Sequence, residues 1–547
     1  MASASERKGP PLANGWLWNL VCATGIGLVL RAYRLDTQFP TGDEWHAITI
    51  ATHHGFAEIL SSFFSGAHSI PEALYYRALA KLGVLTEGGI YAPFLLIGTA
   101  TISLVPWLTS QLIGRRAAAV LAWLIALAPL LVFYSRFARP YGIVATLCMV
   151  ALWSFARWNE TGSARHLLGY GLAASFAAYF HVIALPFVVT PIAVTLLRDL
   201  YARNRLAVTS RNAALAGVSV GLPSIALLGA AAWNSYGGVT DKVGQGKLSI
   251  ASAFEGYSVL LGSRELPIVL VGSALALLGV WTLLRNERSR WFTALLLAAS
   301  AAQVAVVVAS QPLAVEGPHI FARYVIPVAI ALLVFVAAGF AHAARWLPRS
   351  VGSAATAAML VLYFAGTSAW ILTRYNTQTG LFILASMIAG KPFEEAEYRA
   401  WPGRNASPFY EALSREKSPG QVTLVEGPFH IDDYSLVLPQ IVHRQRVLGG
   451  FSGALCDPGS GMEKLVFDTF RRTQLRNMVD LADDRALRKK SVDYVVLHGD
   501  AVKQRTELAG CIEHYKRLYG TPVFRAADML VFAITKPEPA GLDGKAP

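Results

Sequence analysis

The chain has 547 residues, 54% of them hydrophobic and 15% charged, and carries a net charge of +13. Soluble domains run at about 45–50% apolar and about 25% charged residues, so an ordinary soluble protein is excluded. Much of the Lys and Arg stands in short loops between apolar runs, which is the pattern of membrane orientation; the positive charge is therefore read as topological, and nucleic-acid binding is set aside.

In chain order, Arg7 and Lys8 precede a first apolar run at 16–33. No small-residue cleavage site follows it; "RAYRLDTQFP" comes instead, so the run reads as a retained span rather than a leader. Further runs lie near 89–111, 117–134, 140–157, 167–182, 183–198, 214–234, 266–284, 291–310, 323–343 and 352–373. Together they predict a polytopic α-helical membrane protein with about eleven spans, each close to bilayer length. The stretch 167–198 is read as two short helices turning near His181 and Pro186, because the basic segments "RWNETGSARH" and "RDLYARNRLAVTSRN" flank it and belong on one side. Arg115-Arg116, "RNERSR" at 285–290 and "ARWLPRS" at 344–350 then share the cytoplasmic side. The segments 34–88, 135–139, 235–265 and 311–322, and everything after about residue 374, fall outside, with the N-terminus in the cytoplasm.

Three outer segments carry polar chemistry. The loop 34–88 contains "DEWH", the adjacent acids Asp43 and Glu44 followed by His46. "EWHAITIATHHGFAEILSSFF" and "PEALYYRALAKLG" after it show helical spacing and read as amphipathic helices lying in the interface plane, with Pro71 at the start of the second. Acids near hydrocarbon are costly and point to function; acids at a helix start are also favoured by the dipole alone. The turn "YSRFARPYGI", 134–143, puts Arg136 and Arg139 outside, either reaching lipid phosphates in general or binding one phosphate in bidentate fashion. "GPHIFARYVIPVAIAL", 317–332, places His319 and Arg323 at the outer end of a span. His46 lies about one turn from Asp43, but no HxxxH or HExxH spacing is present, so no metal is expected.

After residue 374 the apolar runs shorten to "QVTLVEG", "SVDYVVLHG" and "DMLVFAIT", separated by charged helical stretches. That alternation predicts a small extracytoplasmic α/β domain over 376–547. Of the four cysteines, Cys22 and Cys148 fall in apolar runs and read as small buried hydrophobes, whereas Cys456 and Cys511 share the outer domain and are expected to form a disulfide.

The acid pair, "HSIPEALYYRALAKLG", "GRR", "YSRFARPY" and "ARYVIP" occur in the order seen in membrane glycosyltransferases of the GT-C superfamily. Over residues 16–375 the chain resembles bacterial relatives of protein O-mannosyltransferases and of the lipid A aminoarabinose transferase. It departs from them where the usual Pro pair is reduced to Pro71-Glu72, and at "GGIYAPFLL", where relatives commonly carry an Arg. The resemblance implies a GT-C-like catalytic domain over 1–375 and an enzyme of the bacterial inner membrane. Its activity would be transfer, with inversion, of a monosaccharide from a polyprenyl-phosphate donor to an acceptor hydroxyl on an envelope glycan, glycolipid or protein, without a cofactor. Asp43 would be the general base, and Glu44 would position the acceptor or hold a basic neighbour. Arg136, Arg139, Arg323 and His319 would meet the lipid phosphate, and His46, His68, Tyr75, Tyr76 and Tyr141 would complete the substrate site. There are two rival classes: a transporter or flippase of lipid-linked sugars, with the same charges lining a pathway, which would favour a repeat symmetry not seen in this sequence, and a non-catalytic envelope scaffold with a degenerate membrane part, against which the intact acid pair and arginines argue.

Overall fold

The computed structural model describes residues 12–64, 69–201, 206–235, 237, 243–400, 407–429, 434–451, 462–498, 509–526 and 528–534. The first half consists of α1 (Leu12–Ala32), α2 (Glu44–His53), α3 (Phe56–Leu60), α4 (Ile70–Lys81), α5 (Glu87–Ile113), α6 (Arg115–Leu127), α7 (Pro129–Phe133), α8 (Tyr141–Thr161), α9 (Ala164–Phe180), α10 (Leu185–Tyr201) and α11 (Leu206–Ser235). The helical body continues with α12 (Ile250–Leu261), α13 (Leu266–Arg285), α14 (Glu287–Ser310), α15 (Pro318–Tyr324), α16 (Ile326–Ala343), α17 (Arg349–Thr367), α18 (Trp370–Thr373) and α19 (Thr379–Ala389).

Among the described residues, eight helices are long and apolar enough to cross a membrane. Three other expected spans are shorter, with 13 residues in α6 and 17 each in α9 and α10. The chain turns between α9 and α10 at His181, as the loop charges predicted. Two expected spans are interrupted. Run 117–134 breaks at Ala128, before Pro129, and run 323–343 breaks at Val325, so Arg323 belongs to the separate short helix α15. The first break directly precedes Pro129, where α geometry is disfavoured; after the second, Pro327 stands in the first turn of the new helix, where its missing N–H costs nothing.

Helix packing is close. Cβ atoms built on Gly279 of α13 and Gly339 of α16 would each lie 1.9 Å from a carbonyl oxygen of the facing helix, so glycine is what lets these backbones meet. Two wholly buried arginines tie the sheet-side ends of the helices together. Arg31 donates to the Ile125 and Ala126 carbonyls (3.0 and 2.9 Å) at the end of α6 and to Ser135 Oγ (3.0 Å). Arg136 in turn donates to the Leu30, Arg31 and Tyr33 carbonyls (3.2, 2.8 and 2.7 Å) at the end of α1. A cation is favoured at a helix C-terminus, where the last carbonyls lack intrahelical partners.

The remaining elements are α20 (Glu395–Ala400), α21 (Pro408–Glu416), β1 (Thr423–Gly427), α22 (Gln440–His443), β2 (Arg446–Phe451), α23 (Met462–Phe470), β3 (Met478–Asp480), α24 (Asp484–Lys489), β4 (Tyr494–His498), α25 (Ala509–Tyr519), β5 (Phe524–Arg525) and β6 (Met529–Ala533). They form the small α/β domain expected from the alternation. Its sheet has the order β3-β2-β1-β4-β6-β5, with β1 to β4 parallel and β5 and β6 antiparallel at one edge. Cys511 is disulfide-bonded, and Cys456 lies outside the described residues. Cys148 is buried as expected, but Cys22 is exposed on α1.

The α/β domain sits on the helix that opens with "DEWH". Trp45 meets Phe451 edge-on at 5.6 Å, and Arg472 donates to the Thr52 carbonyl at 3.0 Å. Glu87, at the start of α5, accepts the Arg476 and Asn477 N–H groups at 2.6 and 2.7 Å. Helix α2, read from its spacing as an amphipathic helix with an open face, is instead packed against the α/β domain. It is covered from both sides, with Trp45, Ala47, Ile48 and Ala51 wholly buried.

Candidate active site

Three segments distant in sequence converge where α2 begins. The second acid joins two of them: Glu44 Oε1 accepts the Ala138 N–H at 2.6 Å, and Oε2 accepts the Thr41 N–H at 2.8 Å. This carboxyl is wholly buried, and burial pushes it up to about 8 against the pull of those two backbone donors. Asp43, one residue earlier at the N-cap of α2, retains 35% side-chain exposure. Its Oδ2 accepts from Arg323 Nη1 at 2.6 Å, and its Oδ1 lies 3.8 Å from His46 Nε2. Arg139 Nη1 donates to the Asp43 backbone carbonyl at 3.5 Å. Burial alone would raise the Asp43 carboxyl, but Arg323, Arg139 and His46 hold it well below the usual carboxylate range.

These groups open onto a cavity of about 610 Å³, within the range of about 300–1,000 Å³ that holds small ligands. Its polar lining is Asp43, Tyr134, Arg139, Tyr141, His181, Ser310, His319, Arg323 and Tyr324. Apolar lining comes from the 3₁₀ turn before α10 (Val182, Ile183), from Pro186 at the start of α10 and from the end of α14 (Val306, Val307). The Arg323 guanidinium lies 5.4 Å from the Tyr141 ring centroid. His319, one turn before Arg323, has a buried Nδ1 without a hydrogen-bond partner, and burial followed by the Arg323 charge pushes its imidazole down to about 4.

Of the residues singled out from sequence, Asp43, Arg139, Tyr141, His319 and Arg323 line this one cavity. His46 stands beside Asp43 without lining it. Four others require correction. Glu44 meets neither cavity nor basic partner; its oxygens serve the backbone N–H groups of Thr41 and Ala138. Arg136 is spent on the carbonyls that end α1 and does not reach the cavity. Tyr75 and Tyr76 donate to the Gly89 and Ile90 carbonyls (2.9 and 3.3 Å), fastening α4 to α5 rather than walling the cavity. His68 lies outside the described residues.

Sequence reasoning missed His181, Tyr134 and Tyr324 as cavity residues, although His181 was marked by the helix break and the tyrosines by motifs already in view. It also passed over Glu72, which is 3% exposed and has no hydrogen-bond partner on either carboxylate oxygen. Among the described residues, no group of three or more His, Cys, Asp and Glu side chains is placed to hold a metal ion.

No protein-family model and no curated protein matches the chain. Among solved structures it is similar to ArnT from Cupriavidus metallidurans bound to undecaprenyl phosphate, at 14% identity and a TM-score of 0.47 over 96% of this chain and 99% of that one. ArnT from the same organism in the apo state gives 15% identity and 0.46 over 96% and 98%. The Archaeoglobus fulgidus oligosaccharyltransferase in complex with Zn and sulfate gives 14% identity and 0.41 over 88% and 68%.

Proposed function

We propose that this chain is an inverting glycosyltransferase of the bacterial inner membrane. It would move a monosaccharide from a polyprenyl-phosphate donor to an acceptor hydroxyl at the membrane face that carries the α/β domain. The observation that carries this reading is the composition of a single cavity: one accessible carboxylate, Asp43, faces Arg323 and Arg139, and apolar side chains from the turn into α10 and the end of α14 adjoin them. A base, an anion site and a lipid-compatible wall are what such a donor needs in one place. The motifs resembling GT-C enzymes, "DEWH", "RFARPY" and "ARYVIP", supply Asp43, Arg139 and Arg323.

In the proposed step the acceptor hydroxyl gives its proton to Asp43, and its oxygen forms a bond to the anomeric carbon. The bond from that carbon to the phosphate oxygen breaks, and its electron pair leaves with the polyprenyl phosphate. Attack from the face opposite the phosphate inverts the anomeric centre. Charge growing on the leaving phosphate is met by Arg323 and Arg139, with the neutral His319 imidazole in the same cavity. Paired with Arg323, Asp43 is too weak a base for this task. A donor phosphate arriving at Arg323 takes over that guanidinium and restores the basicity of Asp43, so the base is activated only when a donor is present.

Purified protein given a polyprenyl-phosphate sugar should transfer it, and Asp43→Asn should lower the rate by about 10²–10⁴-fold, the usual cost of losing a general base. Transfer by Asp43→Asn at the parental rate would overturn the assignment. Mass spectrometry of envelope glycans from cells with and without the gene identifies the acceptor among glycan, glycolipid and protein.

A further inference from the structure

His181 stands where the chain turns between α9 and α10. Its backbone is extended (φ −162°, ψ 120°), and its side chain caps the following 3₁₀ turn, Val182–Ala184. The Ile183 N–H donates to His181 Nδ1 at 3.2 Å. A ring nitrogen that accepts carries no proton, so the imidazole is neutral and its N–H is on Nε2. The ring is 5% exposed, lines the 610 Å³ cavity and lies 5.4 Å from the Tyr141 ring. Tyr141 is the ring beneath the Arg323 guanidinium. On its other side in sequence, His181 is followed directly by the apolar lining residues Val182 and Ile183. His181 thus joins the charged part of the lining to the part suited to a prenyl chain.

In a lipid-linked sugar, the group between sugar and prenyl chain is the phosphate. We propose that His181 is a further phosphate-binding residue of this cavity, its Nε2–H donating to a non-bridging oxygen of the donor phosphate alongside Arg323 and Arg139. This inference rests on the glycosyltransferase reading, and it adds a role that the two arginines leave unfilled. A neutral donor fixes the orientation of the phosphate without adding a third cation, so the product lipid phosphate is not held too tightly to leave.

The two nitrogens of His181 have separable duties, and two substitutions divide them. His181→Asn places a side-chain oxygen where Nδ1 stands, keeping the cap on Ile183 and removing the distal donor. His181→Gln places an amide N–H near the position of Nε2 and gives up the cap. Binding of polyprenyl phosphate, which carries no sugar, is measured for the full-length chain in lipid nanodiscs by competition against labelled donor, with inorganic phosphate as a second competitor. The expected result is that His181→Asn binds polyprenyl phosphate about 10- to 100-fold more weakly, the range for one hydrogen bond to a charged group. His181→Gln should stay within a few-fold of the parent, and inorganic phosphate should compete feebly because it lacks the chain. A purely structural role reverses the order, with Asn retaining and Gln losing affinity, and overturns the proposal. Unchanged polyprenyl phosphate binding in Asn with weakened sugar-donor binding also overturns it, since the contact would then be to the sugar. Absence of polyprenyl phosphate binding by the parent would instead overturn the glycosyltransferase reading itself, and this inference with it.

Discussion

Arg323 on α15 and Asp43 at the start of α2 are 280 residues apart in the chain, and Nη1 of one meets Oδ2 of the other at 2.6 Å. The pair holds the Asp43 carboxyl well below the usual range, against the upward push of burial, so the folded chain releases this proton more readily than the unfolded one. For a depressed carboxyl, the stability contribution is present in full above the unfolded pKa of about 4 and is lost as pH falls through the folded value. Asp43→Asn should therefore lower the Tm at pH 6, with the gap to the parent narrowing at pH 3. A gap that is constant with pH would show that the pair does not act in this way.

Glu44 should behave as a structural residue although it adjoins Asp43. Glu44→Gln keeps one acceptor oxygen but turns an amide N–H toward a backbone N–H of Thr41 or Ala138. Leaving a buried polar group unmatched costs about 1–3 kcal/mol. The expected outcome is a lower Tm and a raised KM for the lipid donor, because Ala138 precedes Arg139, with kcat affected far less than in Asp43→Asn. Equal losses of kcat in the two variants would return Glu44 to the chemistry.

Glu72 gives an opposite pH signature. Burial, opposed by the nearby Arg139 charge, pushes its carboxyl up to about 8. Between the ordinary carboxylate value and about 8, the folded chain keeps a proton that the unfolded chain loses, so stability falls as pH rises through that window. The slope contributed by one such group is at most about 1.4 kcal/mol per pH unit. Glu72→Gln should gain stability relative to the parent at pH 8 and match it near pH 5. Thermal unfolding across pH 5–8 checks this; parallel curves would overturn it.

The contact of Gly279 with Gly339 sets the spacing of α13 and α16. A methyl group on either residue would fall 1.9 Å from a backbone oxygen, which neither rigid helix can yield without moving apart. Overpacking of this kind costs about 1–3 kcal/mol. Gly339→Ala should lower the Tm in detergent, while Ala substitution at Gly217 of α11, where a Cβ meets nothing within 4 Å, should not. Equal melting of both variants would show that the close approach is not limiting.

Much of the architecture was legible in the amino-acid order. Apolar runs near bilayer length become α1, α5, α8, α13 and α14, because the cost of exposing a backbone to lipid depends on a contiguous stretch of residues. The turn at His181, the helix opening at Pro71 and the α/β tail were equally local signals. Charged residues at the rims of spans included Asp43, Arg139, His319 and Arg323, which line one cavity; charge is costly at such a rim unless it has a partner.

Only the tertiary structure decided which of two adjacent acids faces the cavity and which of two nearby arginines does. Asp43 and Glu44 are equivalent in composition, yet Ala138 N–H claims one carboxylate and Arg323 the other. Arg136 and Arg139 share one turn, yet the unpartnered carbonyls at the end of α1 take the first. Tyr75 and Tyr76 are directed by the carbonyls of α5, and α2 is buried by the α/β domain, whose Phe451 meets Trp45 from far along the chain. Residues side by side in sequence point in different directions around a turn, and each is committed by the nearest unsatisfied polar group or apolar surface. Those partners are brought close by the packing of distant helices, which local sequence does not encode.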